Sequence, residues 1–451
     1  MTHETACLGI VLAAGEGTRM KSATPKVLHP VGGRPMLDAV LASARAGGIK
    51  RLAVVIGAGA DLLRSHLARS AADVAVHEQT ARLGTAHAVL AAAAAIRPDE
   101  DVIVLYGDTP LVEGATIARL RARLAEGVDI AVLGFRARDP FGYGRLILAD
   151  GRLTAIVEER DADAATRAVD LCNSGIMAFR AGLLPDLLEA VGNANAKGEY
   201  YLTDTVAIGV GRGLVAAVVE GDEDEFTGVN DRVQLAAAEA GFQRRARRAA
   251  MLGGATLVAP ETVFFSHDTR LGHDVTIAPN VVFGPGVSIA NDVTIHAFSH
   301  IEAAHVDSGA IIGPYARLRP GAAIGPDAHI GNFVEIKNAD IAAGAKVNHL
   351  TYIGDASVGA RTNIGAGTIT CNYDGVSKHR TDIGAAAFIG SHTTLVAPVK
   401  VGDGAFTAAG SVITRDVPAD AMAFGRSRQD NKDGMARAKR EALLALKMTN
   451  R

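Results

Sequence analysis

The feature that most restricts how this chain can fold is a six-residue period in its C-terminal part. Aliphatic or aromatic residues recur at 271, 277, 283, 289, 295 and 301 (Leu, Ile, Phe, Ile, Ile, Ile). They recur again at 312, 318, 324, 330 and 336 (Ile, Leu, Ile, Ile, Ile) and at 383, 389, 395 and 401 (Ile, Ile, Leu, Val). Glycine directly follows many of them, as at Gly272, Gly284, Gly313, Gly325, Gly331, Gly384, Gly390 and Gly402. Each hexad reads as a short strand with one aliphatic turned inward and a small or left-handed residue at the corner. One hexad cannot bury its own core, but stacked coils can, so residues 253–451 are expected to wind into a parallel β-helix. The composition agrees, with 50 glycines, 4% aromatics and no tryptophan. The period slips near 301–312, 336–347 and 365–383. Loops are expected to leave the coil at these slips, most clearly at 370–382 (TCNYDGVSKHRTD). A repeat is architecture only, and any chemistry must come from polar residues set on it.

The first half is organised differently. Short β-branched runs at 8–14, 52–56, 102–106 and 129–135 alternate with helical patterns such as 35–46 and 85–96. That alternation implies a mostly parallel sheet covered on both faces. From 142 to 174 the pattern turns strand-rich, with Gly151 as the turn of a hairpin. Residues 231–252 read as one long helix, capped at Asn230 or Asp231 and stopped by Gly253-Gly254. Its RRARR run is best read as a solvated face.

The residues LAAGEGTR follow the first strand directly, and Gly15 and Gly17 let backbone N–H groups face an anion. Neither the dinucleotide fingerprint nor the Walker pattern is met, since Met20 stands where the former needs a third glycine. The cations are instead Arg19 and Lys26, suited to a polyphosphate. Asp108, closing a strand in YGDTP, sits where α/β sheets bind ligands, and beside phosphates its carboxylate suits Mg²⁺. Its bland alternative is a helix cap.

The segments LAAGEGTRM, TPKVL, QTARLGTAHA, YGDTP, FGYGR, IVEE, NSG, GEYYLTD and VND occur in the order found in sugar-1-phosphate nucleotidylyltransferases. Followed by the repeats and by NHLTY and CNYDG, the chain over roughly 8–430 resembles the family of bifunctional N-acetylglucosamine-1-phosphate uridyltransferase/glucosamine-1-phosphate acetyltransferases. The resemblance implies an α/β chain with three parts. These are a Rossmann-like nucleotidyltransferase (pyrophosphorylase) domain at 1–230, a linking helix at 231–252, and a left-handed β-helix acetyltransferase domain with a C-terminal tail at 253–451. Handedness comes from the family, because the period alone permits either.

In the first domain the resemblance assigns Leu12, Ala13, Ala14, Gly15, Gln79, Gly84 and Thr85 to the nucleotide, and Arg19 and Lys26 to its phosphates. Tyr106, Gly107 and Asp108 close the same site. Asp108 and Asn230 would hold Mg²⁺, while Gly144, Glu158, Asn173, Tyr201 and Thr203 would line the sugar pocket. The implied reaction is in-line attack of the sugar phosphate on UTP, with catalysis by positioning and charge neutralisation. Glu16 stands where this family often has lysine; a carboxylate facing the phosphates would repel them, so its side chain is expected to point to solvent.

Nine histidines mark the repeats: His267, His273, His296, His300, His305, His329, His349, His379 and His392. Three of them on adjoining coils would also suit zinc, as in a carbon-dioxide hydratase. The resemblance instead makes His349 the general base that takes a proton from the ammonium of glucosamine 1-phosphate. It places Arg319, Lys337, Tyr352, Asn363 and Lys378 around that acceptor. It sets Ala366, Asn372, Tyr373, Ser391, Ala409 and Arg426 against acetyl-CoA. A basic cluster of this kind is foreign to a hydratase. A flat coil face cannot enclose two substrates, so a homotrimer is implied.

The formal net charge is −3, which gives no general attraction for nucleic acid or anionic membrane. No signal peptide or membrane span is expected, and three scattered cysteines read as reduced thiols of a cytoplasmic protein. Two rival readings remain open: nucleotidyl transfer with a purely assembling coil, and a scaffold with decayed sites.

Overall fold

The computed structural model describes residues 5–449. The chain divides into two compact units, one of residues 1–248 with 265–267 and one of 249–264 with 268–451.

The first unit is built on a sheet whose main strands are β1 (Cys7–Ala13), β2 (Arg51–Gly57), β3 (Ala75–Gln79), β4 (Asp101–Tyr106), β5 (Ile130–Arg136), β6 (Arg145–Ala149), β7 (Arg152–Val157), β8 (Leu171–Phe179) and β9 (Ala216–Glu220). Their order is β9-β5-β8-β4-β1-β2-β3, with β6 and β7 attached through β8. Only β8 runs antiparallel to its neighbours on the main path. Every residue of β1 is buried, as expected of a strand covered on both faces. Alternate side chains feed two cores. Val11, Ile103 and Leu133 join one, and Ile10, Val104 and Val132 the other. At the C-terminal ends of β1 and β4, the Gly107 N–H donates to the Leu12 carbonyl at 2.9 Å. This brings the LAAGEG and YGD segments side by side.

The β6–β7 hairpin turns through Asp150 (φ 50°) and Gly151 (φ 75°), positive angles that match strand twist in a two-residue turn. The pattern at 85–96 resolves into a regular helix Thr85–Leu90 and a 3₁₀ turn Ala93–Ala95. The Ala92 N–H reaches back only to Val89, the tightening common at helix C-termini. The long helix spans Arg232–Leu252. Asp231 caps it by accepting from the Gln234 N–H at 2.9 Å, and Gly254 (φ 96°) follows its end.

The second unit is a parallel β-helix with three ladders of short strands. The first runs from Thr256–Leu257 to Met422–Ala423, the second from Arg270–Leu271 to Val399–Val401, and the third from Val282–Phe283 to Val412–Ile413. All the hexad positions read from the sequence are buried except Leu271, which is half-buried. The fold class is the α/β-plus-β-helix class that the sequence implied.

The slips need correction. A regular coil advances 18 residues, as from Thr276 to Thr294. At the first two slips it advances 17, as from His300 to Arg317 and from Glu335 to Tyr352. The corner is one residue tighter there, and no loop leaves. Only the third slip extrudes chain, for Ala356 pairs with Thr381 across 25 residues. The extra residues form a small hairpin in which Tyr373 bridges Lys378. Asp374 organises its turn by accepting from the Val376 and Ser377 N–H groups at 2.8 and 2.7 Å.

Candidate active sites

In the first unit a cavity of about 270 Å³ opens at the strand ends just described. Leu12, Ala13, Ala14, Gly15, Lys26, Gln79, Gly84, Thr85, Tyr106 and Asp108, all assigned to one site by the resemblance, line it together. Val27, Arg82, Ala88 and Glu199 line it too, and sequence reasoning missed them. Gly84 is required by geometry: its φ is 117°, and a Cβ there would stand 2.4 Å from the Tyr200 carbonyl oxygen. Close backbone packing of this loop on Tyr200 continues in the Tyr200 N–H bond to Leu83 at 2.7 Å.

On the cavity wall the Lys26 ammonium is ion-paired with Asp108, and it donates to the Asn230 side-chain oxygen at 3.1 Å. A carboxylate and an amide oxygen thus converge on one cationic point. This hard oxygen pair fits Mg²⁺, which takes one or two protein oxygens and completes its shell with phosphate and water. Arg19 sits on the 3₁₀ turn Thr18–Met20, exposed, and is not part of the cavity wall.

Tyr106 connects this cavity with the residues assigned to the sugar. Burial pushes its phenol well above the ordinary value, and the charges of Glu158 and Asp108 add to the shift. Glu158 is itself pushed up by burial, partly offset by the Thr203 hydroxyl, which donates to it at 3.1 Å. The Gly144 carbonyl accepts from the Asn173 N–H at 2.8 Å, and a Cβ on Gly144 would lie 3.5 Å from the Glu158 carboxylate. Gly144, Glu158, Asn173 and Thr203 are thereby one assembly. Tyr201 is buried with no hydrogen-bond partner for its hydroxyl among the described residues.

Glu16 differs from expectation in part. It is about half exposed but does not simply face water, for it is ion-paired with Arg82.

On the coil, the predicted residues fall into two groups. Arg319, Lys337, Tyr352, Asn372 and Lys378 belong to one cluster. The like charge of the neighbouring Lys378 holds the Lys337 ammonium below the ordinary lysine value. Arg319 donates to Glu335 at 2.7 Å. Asn372 reaches the Tyr352 hydroxyl at 3.5 Å and is bonded to Asp355, which also accepts from Asn338 at 2.6 Å. Two like charges held together with an arginine nearby form a strongly anion-attracting spot. Glu335, Asp355 and Asn338 were not foreseen.

The second group is a column along one corner. Three residues beyond the paired positions Asn363, Phe388 and Phe406 of the first ladder stand Ala366, Ser391 and Ala409. His349 and Asn332, which pair directly, continue the same column. The His349 Nδ1 lies 2.8 Å from the Asn332 side-chain oxygen. Beside this column runs another of left-handed residues: Phe298, Tyr315, Phe333, Leu350, Gly367, His392 and Gly410. Its rings stack at 4.9 and 5.1 Å as far as Phe333. Past Leu350 the corner carries Ala366, Gly367, Ser391, Ala409 and Gly410, small residues that leave the backbone beside His349 open to an extended chain, with His392 the one large side chain among them. Asn363 lies on the first ladder, Tyr373 is exposed on the extruded hairpin, and Arg426 is exposed just past the last coil. Among the described residues of one chain no three His, Cys, Asp or Glu side chains gather as a group that could hold a metal ion.

Comparison with known proteins agrees with both halves. The MobA-like NTP transferase domain matches residues 9–199, and the bacterial transferase hexapeptide repeat matches 268–303. A bifunctional protein GlmU of Azorhizobium caulinodans is 60% identical over 440 residues, covering 97% of this chain and 98% of the relative. Relatives of the same name from Xanthobacter autotrophicus and Rhizobium rhizogenes are 59% and 53% identical, covering 96% and 98% of this chain and 97% and 98% of their own. The chain therefore belongs to the GlmU family of bifunctional uridylyltransferase/acetyltransferase enzymes.

Proposed function

We propose that this chain acetylates glucosamine 1-phosphate with acetyl-CoA and then transfers UMP from UTP to the product, releasing pyrophosphate and UDP-N-acetylglucosamine. The observation that carries the reading is that one chain builds two chemically distinct sites. One is a polyphosphate cavity with Lys26, Asp108 and Asn230 on one point. The other is a basic cluster on a coil whose histidine stands in a column of small residues.

Residues 1–230 carry the uridylyl transfer, 231–252 the linking helix and 253–451 the acetyl transfer. In the cavity Gly15 and its neighbours present backbone N–H groups to the phosphates. Lys26, with Arg19 from the loop, offsets their charge, and Gln79, Gly84 and Thr85 hold the nucleoside. The assembly of Gly144, Glu158, Asn173, Tyr201 and Thr203 orients the sugar so that its phosphate oxygen lies in line with the α-phosphorus. Mg²⁺, when held by Asp108 and Asn230, supplies charge neutralisation on the phosphate oxygens.

On the coil, Lys337, Lys378 and Arg319 grip the acceptor phosphate, and Tyr352 and Asn363 meet the sugar. His349 takes the ammonium proton at Nε2. Its Nδ1 faces Asn332 (2.8 Å), an acceptor there fixing the tautomer that leaves Nε2 free. The freed amine attacks the thioester carbonyl, and CoA leaves as thiol after proton transfer. Ala366, Ser391 and Ala409 give the pantetheine arm its track, with Asn372, Tyr373 and Arg426 at its ends. Because the face is open, neighbouring subunits of a homotrimer complete the site. Among the described residues no helix is long and apolar enough to cross a membrane; the chain is read as a cytoplasmic enzyme acting on small molecules.

The test supplies purified protein with glucosamine 1-phosphate, acetyl-CoA, UTP and Mg²⁺, omits each in turn, and reads products by mass. Expected are acetylated sugar phosphate without UTP, and UDP-N-acetylglucosamine only with all four. Absence of the acetylated intermediate would leave the coil as an assembly module.

A further inference from the structure

Two loops meet across the mouth of the nucleotide cavity. One is the turn after β1, which carries Gly15 and Glu16. The other is 80–84, which carries Arg82 and is pinned at its far end by Gly84 against Tyr200. The Glu16 carboxylate and the Arg82 guanidinium close the gap as an ion pair. Their side chains are 52% and 49% exposed, and a pair that wet contributes little by itself and is readily exchanged. Arg82 nevertheless lines the cavity together with Gly15, Lys26 and Asp108.

We propose that Arg82 is a phosphate-binding residue of the nucleotide site, held over the cavity by Glu16 and transferred from that carboxylate to the nucleotide's phosphates on binding. The inference rests on reading the cavity as a nucleoside-triphosphate site. It resolves the oddity of an acidic residue in a phosphate loop. Alone, Glu16 repels a polyphosphate. Paired, it is neutralised, and it keeps a flexible arginine ordered at the mouth, where otherwise it would sweep through solvent. The exchange favours ligand because a guanidinium grips phosphate by two parallel charge-assisted bonds in a geometry that excludes bulk water better than the exposed pair does. Glu16, the partner of Arg82, directly follows Gly15, whose backbone is read as facing the phosphates, so the contact is expected to discriminate triphosphate and pyrophosphate from uridine.

The experiment measures dissociation constants of UTP, pyrophosphate and uridine for the full chain and for Arg82→Gln, Arg82→Lys, Glu16→Gln and the double variant, with melting curves as the folding check. Arg82→Gln should weaken UTP and pyrophosphate about tenfold while leaving uridine within about twofold, the loss of one charge-assisted contact. Arg82→Lys should recover part of that loss. Glu16→Gln should tighten UTP severalfold in the parent, and that gain should shrink in the Arg82→Gln background to the part that relief of Glu16's own repulsion gives. Equal weakening of uridine and UTP would make Arg82 a structural residue and overturn the proposal. So would an undiminished Glu16→Gln gain in the absence of Arg82, which would reduce Glu16 to simple repulsion. If the parent chain binds uridine and pyrophosphate but not UTP, the triphosphate reading of the cavity fails and the exchange with it.

Discussion

The two candidate sites differ in how a chain makes a binding place. In the first unit the cavity is enclosed by loops that leave the C-terminal edge of one sheet, and its walls come from stretches as distant as Gly15, Gln79, Asp108 and Glu199. On the coil the groups lie on an outer surface, and neighbours in space are neighbours by register, as Asn332 is to His349. A cavity of the first kind encloses its ligand within one chain. A surface of the second kind presents groups and leaves enclosure to something laid on it. The proposed chemistry divides along that line: positioning of a polyphosphate inside, proton abstraction and anion binding on an open face.

The sharpest way to break this division is a pair of reciprocal substitutions. His349→Ala should lower acetyl transfer by about 10²–10⁴-fold, the usual worth of a general base, with uridylyl transfer near the parent rate. Asp108→Asn should do the reverse. Rates of both half-reactions, measured separately on each folded variant, check it, and equal loss of both activities in either one would abolish the two-site picture.

A smaller effect probes how the open face tunes the base proposed for it. Asn332 faces Nδ1 of His349 with a neutral oxygen at 2.8 Å. A carboxylate at that place stabilises the imidazolium, so Asn332→Asp should move the acid limb of kcat/KM for acetyl transfer to higher pH by about one unit. Asn332→Ala should lower kcat roughly tenfold, as for other groups that orient a base, with KM little changed. A pH–rate profile identical to the parent's in Asn332→Asp would remove Asn332 from the mechanism.

Much of this was legible in the chain, and the failures have definite causes. The hexads announced the coil because each inward position, such as Ile295, Ile330 or Leu395, has no alternative burial. The slips were legible as breaks, but a one-residue tightening at a corner and the base of an extruded hairpin interrupt the period alike. That ambiguity hid Asn332: it stands 17 residues before His349, not the regular 18. Arg82 and Glu199 were invisible for another reason. Nothing local marks a residue that reaches a cavity because Gly84 is packed on Tyr200, which lies next to Glu199. Glu335 and Asp355, lying among the cations of the coil, carry no spacing signal beyond their coil register. The phosphate loop, Lys26 and Asp108 were readable because strand, loop and cation follow one another directly in sequence.

The basic cluster offers a third test. Lys378 holds the Lys337 ammonium below the ordinary value. Lys337 therefore loses its charge at lower pH than a free lysine does, and affinity for glucosamine 1-phosphate should decline on the alkaline side accordingly. In Lys378→Ala the like charge is gone, so the remaining ammonium persists to higher pH. The alkaline limb should move upward even as affinity falls by about tenfold for the lost charge. Binding measured across the alkaline range reads both effects together; a limb that stays in place would show that the two lysines do not share an anion.

The smallest effect belongs to the enclosed site and reports what enclosure costs. Burial raises the Glu158 carboxyl above its ordinary value, and the Thr203 hydroxyl only partly offsets this. A carboxyl raised in the folded state favours its neutral form there. Its unfavourable contribution is absent below the unfolded pKa and grows as pH climbs through the folded value. Replacing Glu158 with glutamine removes the ionisation while keeping an oxygen for Thr203. The variant should melt roughly 2 °C higher than the parent near neutral pH, and the gap should close in mild acid. A gap independent of pH would mean that the carboxylate is not strained. If the gap closes while affinity for N-acetylglucosamine 1-phosphate falls, Glu158 is a buried charge kept for the ligand at the expense of the fold. The open coil face, whose charged groups stay wet, has no such burial cost; its strained charge is Lys337, held down by the like charge of Lys378.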